Sequence, residues 1–341
     1  MEHPAANDGE APLLTPQLRR RLLLGVGFGV AVYVAILLYS DGPQILRTLR
    51  RFPLHWVLVA CSLSLLNYCI RFLRWERYRA LLGIELPRWT SFRIYLAGLA
   101  LTVTPGKLGE AFRSLLIQRE DGTPVARSAP MVLAERFTDL LGFLILLAIG
   151  GLATQPEHQW VFWATLGLCA LLLTLVASRR VADLLLGLAS RLPLVRRGVD
   201  QLRHALDSTR ILLAPRELLM PTVVSTLGWG CECYAFYLVS AAVVPFGIDL
   251  LFATYTFAFS AILGAVAIVF PGGLGVTETS MGSLLRSEYL AVGVARDTAA
   301  EKAITVTLVI RLCTLWFAVA LGSLALLVHT RLARRAAGHS G

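Results

Sequence analysis

The sequence predicts an all-α polytopic membrane protein, with about six spanning helices and two re-entrant helical hairpins arranged as an inverted repeat. Three observations carry that expectation. Of 341 residues, 56% are hydrophobic and 16% charged, against about a quarter charged in ordinary soluble domains. Six apolar runs approach the roughly 20 residues that cross a bilayer. One helix-breaking pattern, Pro-Gly-x-Leu-Gly, occurs twice, at Pro105 in "TVTPGKLGEAFR" and at Pro271 in "VFPGGLGVTETS".

Residues 1–18 carry Glu2, Asp8 and Glu10 and no small-residue cleavage site. They read as a disordered cytoplasmic tail before a retained first helix, Leu22–Tyr39. In Asp41–Pro53, Ile45, Leu46 and Leu49 suggest a short helix lying in the membrane interface. Leu54–Ile70 is the second run, and Asn67, Arg71 and Arg74 at its end read as snorkelling toward water. Ser91–Gln118 starts beside Arg88 and ends near Arg119 and Arg127, so it enters and leaves on one side. Its apolar part before Pro105 is too short to span, as a re-entrant arm should be.

Pro130–Ala153 and Trp160–Ala177 follow as spans, then a linker, 178–216, with arginines at 179, 180, 191, 196, 197, 203, 210 and 216. Leu218–Val244 leads into the second hairpin, Leu250–Leu285, and Ala303–Val328 leads into a basic tail, 331–341. Arginine-rich connections mark the cytoplasmic side. Both termini and the linker are therefore expected inside, while Thr154–Gln159 and Pro245–Asp249, with no Lys or Arg, are expected outside. Arg47, Arg50 and Arg51 are the exception, in a connection that must be external. Within a single domain, 19–330, the unit 54–153 then mirrors the unit 218–328 with opposite orientation, the pattern of inverted-repeat transporters.

The net charge of +10 does not argue for nucleic acid, because the basic residues gather between apolar runs where they set topology and meet anionic lipid. Six cysteines lie inside apolar runs without paired metal or redox spacing, and read as buried, inert thiols. No Asp-x-Asp pair, His cluster or nucleotide loop is present, and no metal or cofactor is called for.

A hairpin tip inside a membrane cannot leave its backbone to lipid, so it must face protein or a watery cavity. After Pro-Gly, the second half-helix points free N–H groups and the positive end of its dipole into that cavity, where a phosphate is the natural occupant. The substrate-binding candidates follow. Pro105, Gly106 and Gly109 shape the first tip, with Lys107, Glu110 and Arg113 on one helical face. Lys107 is one of two lysines in a chain with 32 Lys and Arg together, so no lysine-rich surface explains it. Pro271, Gly272, Gly273 and Gly275 shape the second tip, followed by Glu278.

Glu135, Arg136 and Asp139 are spaced to form an ion-paired cluster on the helix after the first hairpin. Arg311 occupies the corresponding place after the second, and Glu232 lies mid-helix with no charge in its own segment. Ionisable groups at membrane depth are costly and by default functional. If the tips meet, Gly106 and Gly272 should be neighbours, and Arg136 and Arg311 should reach one cavity. Arg136 should then pair with Glu135, Asp139 or Glu110.

The segments "TPGKLGEAFR", "AERFTDLLGF" and "FPGGLGVTE" resemble the lysylphosphatidylglycerol synthase transmembrane-region family, over roughly residues 20–330. That is the flippase-like part of proteins that aminoacylate and translocate phosphatidylglycerol. The resemblance implies a helical bundle with two re-entrant segments, a lipid-accessible cavity, and the motif positions named above as its site. The two-part synthases carry a soluble aminoacyl-transferase domain after the membrane region, and only a short tail follows the last helix here. The resemblance therefore implies translocation without the enzyme activity. Membrane lipids with an anionic or phosphate-bearing head group are the expected partners. A homodimer or a partner lipid-synthesis enzyme is left open. The alternative reading is a membrane subunit of a lipid or glycan-lipid assembly system, either glycosyltransferase-associated or a non-catalytic scaffold.

Overall fold

The computed structural model describes residues 16–39, 42–104, 112–151, 155–178, 199–267 and 270–337, with isolated positions at 180, 181, 184 and 187. Among the described residues there is no strand. The helices are α1 (Pro16–Tyr39), α2 (Gly42–Arg51), α3 (Leu54–Leu81), α4 (Arg88–Ala97), α5 (Phe112–Asp121), α6 (Val125–Ser128), α7 (Pro130–Gly151) and α8 (Gln159–Ala177). They continue with α9 (Val199–Leu212), α10 (Pro215–Val243), α11 (Leu250–Val266), α12 (Val276–Ala291), α13 (Arg296–Arg311) and α14 (Phe317–Ala337). The chain is an all-α polytopic membrane protein. Leu54–Leu81, Pro156–Ala177 and Arg296–Leu332 are each long and apolar enough to cross a bilayer, and α9 with α10, bent by 72°, would make a fourth.

Helix starts follow local chemistry. Pro53, Pro87 and Pro124 precede α3, α4 and α6, and α10 begins at Pro215, where the missing N–H removes an orphan donor. Asp249 caps α11 by accepting from the Phe252 N–H at 2.7 Å.

The two units that the sequence pairs as repeats, 54–153 and 218–328, lock into each other. Their first helices, α3 and α10, pack side by side along the middle of the bundle. The third helix of each repeat then packs on the other repeat's hairpin, α7 on α11 and α14 on α4. A glycine sits at each crossing. A Cβ on Gly150 would lie 2.8 Å from the Leu251 carbonyl oxygen, and one on Gly322 would lie 2.8 Å from that of Leu96. Small residues that let backbones approach are how helices associate where lipid is as apolar as the interface. Two cores result. One is built around Phe236, Val239, Ala258 and Val309, the other around Trp75, Tyr78, Ile94 and Leu116.

The arginine-rich helix ends gather at one end of the bundle. Arg77 on α3 pairs with Glu217 at the start of α10, His329 on α14 with Glu120 on α5, and α9 packs on α6. The first hairpin begins and ends there, with α4 and α5 in contact. The second, α11 against α12, begins and ends at the opposite end, where Tyr289 meets Ser240 at 2.7 Å.

Several sequence expectations need correction. Arg71 and Arg74 do not snorkel: Arg74 is 0% exposed, and both are paired inside the bundle. α14 runs to Ala337, so the basic tail expected over 331–341 begins as helix. α1 begins at Pro16, inside the tail expected over 1–18, and residues 1–15 lie outside the described residues. The second half of the linker 178–216 is α9, docked on α6 and α7. Cys69 is exposed and Cys61 and Cys231 are half-buried, so only Cys169, Cys233 and Cys313 are the buried thiols expected. The expected helix within Asp41–Pro53 is α2. It buries Ile45 completely, and its Gln44 and Thr48 both donate to Glu301 near the start of α13.

Candidate functional site

A cavity of 150 Å³ lies between the repeats, lined from α3 by Tyr68 and Arg71, from α7 by Arg136, and from α10 by Trp229 and Glu232. Gly272, Thr277 and Arg311 line it from the second repeat.

From the first repeat, Asp139 is the hub. Its carboxylate meets Arg71 at 2.9 Å, Arg74 at 2.8 Å and Arg136 at 3.5 Å, and accepts from Ser225 and the Trp229 indole N–H at 2.9 and 3.0 Å. Glu135 meets Arg113 at 2.7 Å and Arg74 at 3.8 Å. The Arg71 guanidinium lies 4.5 Å from the centre of the Trp229 ring, and that of Arg113 lies 4.9 Å from the Tyr95 ring. The sequence supplied the hub but not its partners. Arg71 and Arg74 come from α3, and Ser225 and Trp229 from α10. Their signal was spacing: Asn67, Arg71 and Arg74, and likewise Ser225, Trp229 and Glu232, stand four and three residues apart, on one helical face each. Gly228 leaves room for them, since a Cβ there would lie 3.0 Å from Arg71 Cγ.

From the second repeat, Glu278 holds Arg311. Its Oε1 accepts from Arg311 Nε at 2.6 Å and its Oε2 from the Gly275 N–H at 2.7 Å. The guanidinium also donates to the Gly272 carbonyl at 3.2 Å. The N-terminal N–H of α12 that the sequence reading left free for a phosphate is thus taken by the chain's own carboxylate. Directly after Arg311 the helix widens into a π turn, Leu312–Trp316, a distortion common at functional sites. Tyr68 donates to the Thr314 carbonyl at 2.8 Å, reaching from the first repeat to the widened turn.

Gly272 and Gly273 have φ of 61° and 69°, where a side chain is strained. A Cβ on Gly273 would also lie 2.9 Å from Gly264 Cα. The close backbone approach therefore falls at Gly273, whereas Gly275 has open space around it and needs glycine for its φ of 87°.

Pro105, Gly106, Lys107, Gly109 and Glu110 lie outside the described residues, and with them the expected contact of Gly106 with Gly272. The flanking chain is described. A Cβ on Gly272 would lie 3.6 Å from Thr102 O and Val103 Cα, so the second tip touches the residues that lead into the first motif. Arg136 and Arg311 both line the one cavity, and Arg136 has Asp139 as a partner. Pro271 belongs to the turn that carries Gly272 and Gly273. Glu232 accepts from Asn67 Nδ2 at 2.6 Å.

The sequence profile of the family described as "Lysylphosphatidylglycerol synthase TM region" matches residues 24–322. A protein of Pyrococcus horikoshii described as "UPF0104 membrane protein PH1989" is 21% identical over 92% of this chain and 98% of its own length. The profile match spans both hairpins and every helix that lines the cavity, and the chain belongs to the lysylphosphatidylglycerol synthase TM region family.

Proposed function

We propose that the protein is a flippase-like lipid translocase that moves a lipid with an anionic or phosphate-linked head group between leaflets. The observation that carries this reading is the cavity reached by Arg136 from one repeat and Arg311 from the other. Around it, among the described residues, Arg71, Arg74, Arg113 and Arg136 face Glu135, Asp139 and Glu232, four positive charges against at most three negative. Arg311 and Glu278 balance each other. Net positive charge with hydrogen-bond donors in a low-dielectric site favours a phosphate over a neutral head group.

The hairpins would be re-entrant gates. The first would open to the arginine-rich end of the bundle, read as the cytoplasmic face of a bacterial inner membrane with both termini inside, an orientation that the distribution of basic residues supports. The second opens to the other face. Glu278 holds the Gly275 N–H and Arg311, and an arriving phosphate takes over both contacts from the carboxylate.

The test is dithionite-protected quenching of fluorescent phosphatidylglycerol and phosphatidylcholine in proteoliposomes. Wild type is expected to move the anionic lipid faster. Arg136→Gln and Arg311→Gln should slow that lipid and leave the zwitterionic one little changed. Equal effects on both lipids would reject the phosphate role.

A further inference from the structure

Three of the four carboxylates around the cavity are each held by an arginine: Glu135 by Arg113, Asp139 by Arg71 and Arg74, Glu278 by Arg311. Glu232 is not. It lies in the middle of α10, is 3% exposed, and lines the cavity. Among the described residues its carboxyl group has one hydrogen bond, from Asn67 Nδ2, and no ion pair. The other end of the same amide, Asn67 Oδ1, is fully buried with no donor among the described residues. It faces Gly228, one turn before Glu232.

A carboxylic acid and a primary amide can make a closed pair, with the amide N–H donating to one acid oxygen and the acid O–H donating to the amide oxygen. Only the protonated acid has the second donor, and a buried acceptor is costly to leave unmade. The surroundings decide when the proton is present. Tyr68 and Arg71 from α3, Arg136 and Asp139 from α7, and Arg311 from α13 with Glu278 of α12 behind it are the titratable and charged groups at the cavity. Cys231 and Cys233 flank Glu232 on α10 itself, and α9 and α11 bring no titratable group to the lining. Burial favours the neutral acid, and the neighbouring Arg71 and Arg311 oppose it by favouring the charged carboxylate. A phosphate that settles against Arg136 and Arg311 cancels that field and adds its own negative charge beside Glu232, which favours the neutral acid.

We infer that Glu232 takes up a proton when a phosphate-bearing head group enters the cavity and releases it when the head group leaves, so that proton and lipid cross the membrane together. The proton comes from water at the open side and returns to water at the other, with no covalent change in the protein. This rests on the translocase reading above. Coupling is reciprocal: if lipid binding raises proton affinity, a lower pH raises lipid affinity by the same factor. One linked proton gives a change of up to about tenfold per pH unit.

Two measurements on the whole protein keep the coupling and the translocation separate. In weakly buffered detergent, a short-chain phosphatidylglycerol is added and proton uptake is read with a pH indicator. At alkaline pH, wild type should take up protons on lipid binding, at most one per lipid, Glu232→Gln none, and Glu232→Asp should restore uptake. In proteoliposomes of phosphatidylcholine with fluorescent phosphatidylglycerol, an imposed pH gradient should drive net lipid movement toward the alkaline side by wild type. The gradient response should vanish in Glu232→Gln, whatever rate that variant keeps. Lipid movement by wild type without proton uptake or gradient response would overturn the coupling and leave the translocase. Proton uptake without lipid movement would overturn the translocase and leave the coupling. Uptake undiminished in Glu232→Gln would assign the proton to another group and overturn the role of Glu232.

Discussion

The two repeats hold their arginines differently. In the first, Arg71, Arg74, Arg113 and Arg136 share Glu135 and Asp139 across α3, α5 and α7, and donors from α10 join them. In the second, one arginine meets one carboxylate, and that carboxylate also caps α12. A network that spans four helices can be undone only by moving all of them. A single pair beside a π turn and two glycines of positive φ can be exchanged locally. The first repeat is therefore the frame of the cavity and the second carries its exchangeable contact. Buried ion pairs add little net stability when complete, because desolvation offsets attraction, yet removing one partner is costly. That asymmetry makes the comparison testable.

The largest effect should come from the hub. Asp139→Ala leaves two buried guanidinium groups, Arg71 and Arg74, short of a carboxylate and should cost about 3–5 kcal/mol. The expected result is a large drop in folded yield and in the midpoint of thermal unfolding in detergent, followed by size-exclusion. A midpoint within error of wild type would remove the network from the frame.

Next is Arg311→Gln, where loss of charged hydrogen bonds of about 1.5–3 kcal/mol should slow anionic lipid transport by about 10- to 100-fold. Its unfolding midpoint should fall far less than that of Asp139→Ala. If it unfolds as readily, the second repeat is frame as well and the contrast is wrong.

Gly273→Ala should cost about 1–3 kcal/mol, as expected for a strained left-handed position, with contact against Gly264 added. Gly275→Ala meets no atoms and has only the strain, so it should be the milder of the two. Thermal unfolding of both variants ranks them, and the reverse order would place the close approach at Gly275.

The smallest effect is expected outside the cavity. Arg77 and Glu217 pair at 2.6 Å, but the arginine side chain is 46% exposed. Glu217→Gln should shift stability by no more than about 1 kcal/mol and transport not at all. A transport defect there would mean that charge at the arginine-rich end acts on the cavity from a distance.

The sequence by itself determined that the chain is a membrane helical bundle, because hydropathy and the run lengths set that without any contact being known. It also determined where the helices break, since proline and positive-φ glycines act through their own backbone. And it singled out Glu135, Arg136, Asp139, Glu278 and Arg311, which are conspicuous as charges inside apolar runs. Only the tertiary structure decided what each charge meets. Asp139 is bound by residues 65 to 90 positions away, and Arg71 and Arg74 look like helix-end arginines until α10 and α7 close over them. Spacing on a helix fixes which side chains share a face, and which face finds a partner is fixed by packing alone. That is why Arg74 could be read as facing water and is instead among the most deeply buried side chains in the protein.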